Sequence, residues 1–166
     1  MTFADLKAGD SVFLDANTLV YHFTADAAFG TACTQLLQRI ENQDLLGFTS
    51  TGVLGEAAHR LMTTEASSRF GWSFAGIGNR LRANPAEVKK LLVFRRAVED
   101  ILQSKIQVLT IPPATFSAAL AQCQQIGPLT NDGRIVAVMQ TNGLSKLASS
   151  DADFDGVPGI TRYAPA

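Results

Sequence analysis

This chain of 166 residues lacks the features that mark several common protein classes. It has only two cysteines, Cys33 and Cys123, and no CxxC pair or cysteine–histidine cluster, which argues against a zinc site. Two widely separated thiols are typical of reduced core cysteines in a cytosolic protein. The longest apolar runs, such as 91–94 and 135–139, are far shorter than the ~18 residues that a membrane span requires.

The N-terminal residues MTFADLKAGD contain neither a basic segment nor an apolar one that could follow it. The sequence therefore predicts no signal peptide, a cytoplasmic location and no membrane partner.

The sequence also lacks a clear excess of charge of either sign, because its formal net charge is −1. That near-balance hides an asymmetry. Between His59 and Lys105, nine basic residues outnumber four acidic ones, which gives this segment +5 and leaves −6 for the remainder. A basic flank beside an acidic remainder suits a metal site next to a polyanion. A solvated helical face explains any single one of these charges equally well.

What the sequence does contain is an alternation of short apolar runs with helix-like segments. The runs predict strands at 11–15, 45–50, 106–111, 147–150 and 159–163. Periodicity and capping residues predict helices over 31–41, from Thr51, from Pro85 to about Ser104, from Pro112-Pro113 to near Gly127-Pro128, and from Asn131 or Asp132 to about Thr141. The stretch 67–84 is predicted to be irregular. This order predicts one α/β domain over 1–166 with a mainly parallel central sheet of about five strands.

Four acidic residues stand at the ends of these apolar segments. They are Asp15 in SVFLDANTLVYHF, Glu56 in TGVLGEAAHRL, Asp132 in LTNDGRIVAVM and Asp151 in KLASSDADFDGVPG. A carboxylate at the edge of a core is unfavourable unless it is paired or coordinates a metal. In a parallel sheet, such residues can project toward the edge where ligands collect. Oxygen ligands of this kind suit Mg²⁺ or Mn²⁺, although each acid taken singly could be a helix cap or a turn residue.

The strings FLDANTLVYHF, TGVLGEAAHRL, LTNDGRIVAV and LASSDADFDGVPGITRYAP resemble, in order, the four motifs of PIN-domain ribonucleases. The nearest subgroup is similar to the VapC-type toxins of prokaryotic toxin–antitoxin pairs. The resemblance implies a three-layer α/β/α sandwich and a Mg²⁺-dependent (or Mn²⁺-dependent) endoribonuclease that hydrolyses RNA. It also implies a cognate antitoxin and a homodimer. The implied site comprises the catalytic, metal-binding acids Asp15, Glu56, Asp132 and Asp151, a further metal ligand Asp153, and the supporting polar residues Asn17 and Ser149.

The chain departs from the compact family pattern by a helical or irregular insertion at about 64–104. Within it, the string SSRFGWSFAGIGNRLR combines arginines with aromatic residues, which could bind unpaired bases of RNA. The candidate RNA-binding residues are Arg69, Trp72, Arg80 and Arg82. A helical hairpin, a dimer contact or a groove for an antitoxin peptide would explain the same residues.

Two other functions compete with a nuclease. FLDANTL is similar to the motif of haloacid-dehalogenase-like phosphatases, but Asn17 stands where those enzymes carry a second aspartate. No convincing phosphate-binding lysine motif precedes the terminal acids. A non-catalytic PIN-like module that binds RNA or protein is the other alternative. The loss of an acid would favour it, yet all four acids are present.

Overall fold

A computed structural model of the chain describes residues 1–126 and 130–166. Its centre is a five-stranded, all-parallel sheet in the order β3-β2-β1-β4-β5. The strands are β1 Ser11–Leu14, β2 Leu46–Ser50, β3 Gln107–Leu109, β4 Lys146–Ala148 and β5 Thr161–Tyr163. The helices are α1 Ala16–Phe23, α2 Gly30–Glu41, α3 Thr51–Phe70, α4 Ile77–Ala83, α5 Pro85–Val88, α6 Val93–Gln103, α7 Pro113–Ile126 and α8 Thr130–Thr141, with short 3-10 turns at Phe3–Asp5 and Ala152–Gly156. The predicted three-layer α/β/α fold with a parallel central sheet is confirmed.

The central strand explains why this sheet needs helices on both faces. Val12, Phe13 and Leu14 are completely buried, so β1 has no solvent-facing side, as expected for an inner strand of a parallel sheet. Phe13 is in register with Phe48 on β2 and Leu147 on β4. Consecutive apolar residues on β1 therefore contribute to the core on both faces, and the carboxyl ends of β1 and β4 lie side by side.

The helix predictions were wrong in two places and incomplete in a third. The stretch 67–84 is not irregular, because α3 continues to Phe70 and α4 follows after a loop. The single helix predicted from Pro85 to Ser104 is two helices, α5 and α6. The sequence prediction contains no helix at α1, although Asp15 directly before it is its capping residue.

The break between α5 and α6 has a tertiary cause. Both carboxylate oxygens of Glu65, on α3, accept hydrogen bonds from the backbone N–H of Leu92 at 3.0 and 3.1 Å, and one also accepts from Val93 at 2.9 Å. These are the unpaired donors that any helix start exposes. The side chain of Asn84, the residue before α5, donates to the Arg80 carbonyl and does not cap this helix.

Helix α8 begins at Thr130, so Asn131 and Asp132 lie inside its first turn and are not its cap. The predicted end of the preceding helix at Gly127-Pro128 lies outside the described residues. Gly143 follows α8 with a φ of 67°, a left-handed conformation that suits glycine.

Residues from the C-terminal half of α3 to α6 form a second, smaller core. Ala66, Ile77, Leu81 and Leu91 are buried there, and partly buried apolar side chains, including Trp72, pack against them. This cluster holds α4 and α5 onto the end of α3. Within 1–126 and 130–166, no helix has both the length and the hydropathy needed to cross a bilayer.

Candidate active site

Asp15 is the most strongly fixed acid of the group. It follows β1 directly and caps α1, where its Oδ1 accepts the Ala16 N–H at 2.6 Å. Its Oδ2 accepts hydrogen bonds from Asn17 Nδ2 at 2.5 Å and Ser149 Oγ at 2.7 Å. Burial raises the pKa of Asp15, while the bonds from Ser149 and Ala16 act in the opposite direction. A nearly buried carboxylate is thus held in one orientation by three donors.

Ser149 and Asn17 join the ends of the two central strands. The fully buried Ser149 hydroxyl donates to Asp15 and accepts hydrogen bonds from Asn17 Nδ2 and the Asp151 N–H, each at 3.0 Å. Asn17 Oδ1 accepts the Ser150 N–H at 3.1 Å. The hydroxyl and the amide are therefore saturated within the protein. They position Asp15 on the β1 side and Asp151 on the β4 side.

The three aspartates of the DADFD string have different surroundings. Asp151 caps the 3-10 turn after β4, and its Oδ1 accepts the Asp153 N–H at 3.0 Å. Asp153 is exposed. Asp155 accepts hydrogen bonds from Nε and Nη2 of Arg162 at 2.7 and 2.8 Å, and the hydrogen bonding from Arg162 lowers the pKa of Asp155. Arg162 therefore pairs with Asp155, and its charge also acts on Asp151, while Asp153 has no ion pair among the described residues.

The pKa of Asp132 is affected by all the other candidate acids. It lies in the first turn of α8 and is half-buried. Its pKa is raised to about 6, first by burial and then by the charges of Asp151, Asp15, Glu56 and Asp153. Four carboxylates from three other segments, the ends of β1 and β4 and helix α3, thus act on a fifth, which places the five predicted acids near one another.

Glu56 enters from α3, one turn after the end of β2. Its Oε2 accepts a hydrogen bond from Asn131 Nδ2 at 3.4 Å, and its Oε1 lies 4.0 Å from Arg60 Nη1. Arg60 was not singled out from the sequence as a site residue, although its i,i+4 spacing from Glu56 places it on the same face of α3. It is the basic residue whose charge also acts on Asp15.

The donor set fits a hard divalent cation, because it consists of carboxylate oxygens with amide and hydroxyl groups behind them. Among residues 1–126 and 130–166, no three acidic, histidine or cysteine side chains are close enough to form a finished metal cage as they stand. The pKa of Asp132 is raised first by burial and then by repulsion from the neighbouring carboxylates. A bound cation would relieve it.

The four candidate RNA-binding residues lie in the second core and its surroundings. Trp72 packs with its ring 5.0 Å from that of Phe70, and Arg69 donates to the Lys90 carbonyl at 2.6 Å. Arg82 donates to Asn79 at 2.7 Å, and Arg80 is exposed. Within the described residues, no hydrogen bond or ion pair joins any of the four to the acidic group.

Comparison with known proteins identifies the family. The model of one family, described as the PIN domain, matches residues 12–160. The chain belongs to the PIN domain family. A search of curated protein sequences gave no match.

Solved structures share this PIN fold at low sequence identity. VapBC2 from Rickettsia felis, bound to a DNA fragment from its promoter, aligns with a TM-score of 0.59 and 12% identity over 94% of this chain and 99% of the other. VapC20 of Mycobacterium tuberculosis, a Sarcin-Ricin loop cleaving toxin, aligns with a TM-score of 0.58 and 19% identity over 90% of this chain and 98% of the other. A toxin–antitoxin complex from Klebsiella pneumoniae aligns with a TM-score of 0.56 and 16% identity over 90% of this chain and 95% of the other. Likenesses at this identity establish the fold and leave the activity to be argued from the site.

Proposed function

We propose that this PIN-domain protein is a Mg²⁺-dependent or Mn²⁺-dependent endoribonuclease and the toxin of a VapBC-type toxin–antitoxin pair. The observation that carries the proposal is geometric: Ser149 joins Asp15 and Asp151 at the adjoining ends of β1 and β4, and Asp132 lies close enough for the charges of both to act on it. Such a cluster is electrostatically unfavourable by itself, which is the signature of a site that is completed by a cation.

In the proposed site, Asp15, Glu56, Asp132 and Asp151 hold the metal, with Asp153 at its rim. A bound divalent cation would supply a more acidic water and neutralise charge on a phosphodiester. The protein's own residues prepare the site. Asn17 and Ser149 fix the orientation of Asp15, and Arg60 partly offsets the negative charge beside Glu56.

RNA is the proposed substrate, because the chain carries a basic segment in addition to the acids. The segment 59–105 carries +5, and Lys89, Lys90, Arg95 and Arg96 are exposed on it. A polyanion can bind to such a flank by releasing counterions. We also propose that 64–104 is an insertion into a single PIN-like domain, and that it provides this flank.

A homodimer is proposed on the evidence of α7. The chain has no charged residue from 106 to 131, and Phe116 and Leu120, one turn apart on α7, are both more than 40% exposed. A second copy of the same uncharged surface can cover these side chains without burying a charge. Sedimentation of wild type and Leu120→Asp tests this, since the variant should be monomeric if α7 forms the contact.

The decisive experiment measures cleavage of total RNA by wild type and Asp15→Asn, with Mg²⁺ or Mn²⁺ and with EDTA. Wild type should cleave only with metal, and Asp15→Asn should be inactive while remaining folded. Asp155→Asn is the matched control, because this exposed acid is paired with Arg162 and should be dispensable.

Other results would favour the alternatives. If wild type binds RNA but cleaves none under any of these conditions, the protein is a non-catalytic binding module. Turnover of a small phosphomonoester would instead indicate a phosphatase. The toxin assignment has its own test: induction should arrest growth, and co-expression of the neighbouring small gene should relieve the arrest. Absence of toxicity would contradict the toxin role without contradicting RNA cleavage.

A further inference from the structure

A cavity of about 390 Å³ lies in the seam between α1 and α3, next to the acidic group. Its lining combines aromatic, basic and hydroxyl side chains. The residues are Val20, Tyr21, Thr24, Asp26, Arg60, Thr63, Thr64 and Phe74. None of them was a candidate site residue from the sequence.

One face of α3 connects the acids to this cavity. Glu56, Arg60 and Thr63 follow one another at spacings of four and three residues, so they form one stripe along the helix. From Glu56 to Thr63 the stripe rises by about 10 Å. Arg60 belongs to both places, because it lines the cavity and lies 4.0 Å from Glu56.

On the opposite side of the cavity, helix α1 also connects the acids to the cavity. Tyr21 lines the cavity, and its hydroxyl lies 3.3 Å from Ser150 Oγ, immediately before Asp151. A short piece of single-stranded RNA with one phosphate at the acids would therefore pass Arg60 and reach the cavity.

Phe74 supplies an aromatic surface that the fold itself does not use. It lies on the loop between α3 and α4, is 62% exposed, and is not part of the nearby second core. Gly71 and Gly76, at either side of this loop, have φ of 66° and 74°, left-handed values that glycine adopts without strain. An aromatic ring left in water at the rim of a cavity can gain a stacking partner, and nucleobases stack well on such rings.

The cavity also offers hydrogen-bond acceptors. The hydroxyls of Thr24 and Thr63 donate to the carbonyls of Val20 and Arg60, at 2.8 and 2.9 Å, so their remaining capacity is to accept. Asp26 accepts backbone N–H groups through Oδ1, while its Oδ2 takes no hydrogen bond from the described residues. These acceptors suit a base that carries an exocyclic amino group.

We propose that this cavity is a nucleobase subsite, in which one unpaired base of the RNA substrate stacks on Phe74 while Arg60 contacts the neighbouring phosphate. The subsite rests on the proposed ribonuclease function and adds to it the recognition of one base of the substrate. A larger groove of about 670 Å³, among α1, α2 and α6, is a poorer place for RNA. It is lined by Glu41 and Asp100 and by no lysine or arginine.

The test uses a short single-stranded RNA that wild type cleaves, together with Phe74→Ala, Phe74→Trp and the control Leu102→Ala. Leu102 is 60% exposed, so its truncation removes a similarly exposed apolar side chain from another surface. We expect Phe74→Ala to raise KM about 10-fold with little change in kcat, and Phe74→Trp to restore wild-type KM. Leu102→Ala should leave both parameters unchanged.

Oligonucleotides with one abasic position identify the base. For wild type, KM should rise about 10-fold when one particular position is abasic. For Phe74→Ala, the same abasic position should raise KM no further. The proposal would be overturned if Leu102→Ala raised KM as much as Phe74→Ala does, or if the abasic position raised KM equally in wild type and in Phe74→Ala. An unchanged KM for Phe74→Ala combined with weaker antitoxin binding would also overturn it, because the cavity would then hold a protein segment. Failure of wild type to cleave any RNA is a separate result, which contradicts the proposed function itself.

Discussion

Replacing Asp132 by asparagine should stabilise the metal-free protein, although the residue belongs to the proposed catalytic group. Burial and the charges of four carboxylates raise the pKa of Asp132 from 3.8 to about 6. At neutral pH the native state must therefore ionise a group in surroundings that oppose ionisation. Asparagine keeps the shape of the side chain and removes the charge.

The sign and size of the effect follow from linkage. Because the folded-state pKa lies above the unfolded one, the native state retains a proton that the unfolded state has released between about pH 4 and pH 6. This contribution to stability is fully present below pH 4 and is lost as the pH rises through 6. The difference corresponds to about 3 kcal/mol at most. Because water screens a half-buried group, we expect about 1 kcal/mol, or a rise in Tm of about 2–4 °C at pH 7.

Thermal unfolding in EDTA at low ionic strength, from pH 4 to pH 7.5, measures this directly. The stability gap between Asp132→Asn and wild type should open as the pH rises from 4 to 6 and stay constant above. Saturating Mg²⁺ should reverse the order, because only wild type gains the full binding energy of the ion. Asp155→Asn is the control: the Asp155 carboxylate is stabilised by Arg162, so this variant should gain no stability. If Asp132→Asn is less stable than wild type in EDTA at pH 7, the electrostatic reasoning is wrong.

Three further predictions concern the supports of the site and the fold. Ser149→Ala should lower the free energy of unfolding by about 2 kcal/mol in urea, because it removes a charge-assisted bond and leaves a backbone donor without its acceptor. Ser150→Ala should have a much smaller effect, and equal losses would contradict the assigned network. The buried Cys33 thiol, whose pKa burial raises to about 12, should resist iodoacetamide until the protein unfolds, whereas the half-buried Cys123 should react first. Mass spectrometry of the native protein checks the order, and prior labelling of Cys33 would refute it. Glu65→Ala should lower stability by about 1 kcal/mol in thermal unfolding by removing the cap of α6, and an unchanged Tm would show that water replaces it.

The parallel sheet could be predicted because its strands are recognisable from the residues of the strands themselves. Each is a short apolar run, and β1 is buried on both faces, so it reads as a continuous hydrophobic segment. The acids that follow such strands were predictable for the same reason. Once the strands are parallel, the residues after them must share an edge.

The region after α3 could not be predicted in the same way, because its form depends on distant contacts. The break between α5 and α6 is set by Glu65, which lies 27 residues before the Leu92 N–H that it accepts. Phe74 was visible in the sequence only as one aromatic among several. Its exposure beside Arg60 appears only once α1, α3 and the loop are packed together.

The charge balance of the acidic edge links the proposed metal to the proposed antitoxin. Arg60 lies 4.0 Å from Glu56 and the charge of Arg162 acts on Asp151, but within the described residues no ion pair reaches Asp15, Asp132 or Asp153. In the proposed function, further compensation comes either from a divalent cation or from a basic segment of an antitoxin. Both would compensate the same carboxylates, so an antitoxin that presents a lysine or arginine there should compete with Mg²⁺. Raising the Mg²⁺ concentration should then weaken antitoxin binding to wild type more than it weakens binding to Asp132→Asn, beyond the screening that an equal ionic strength of NaCl produces.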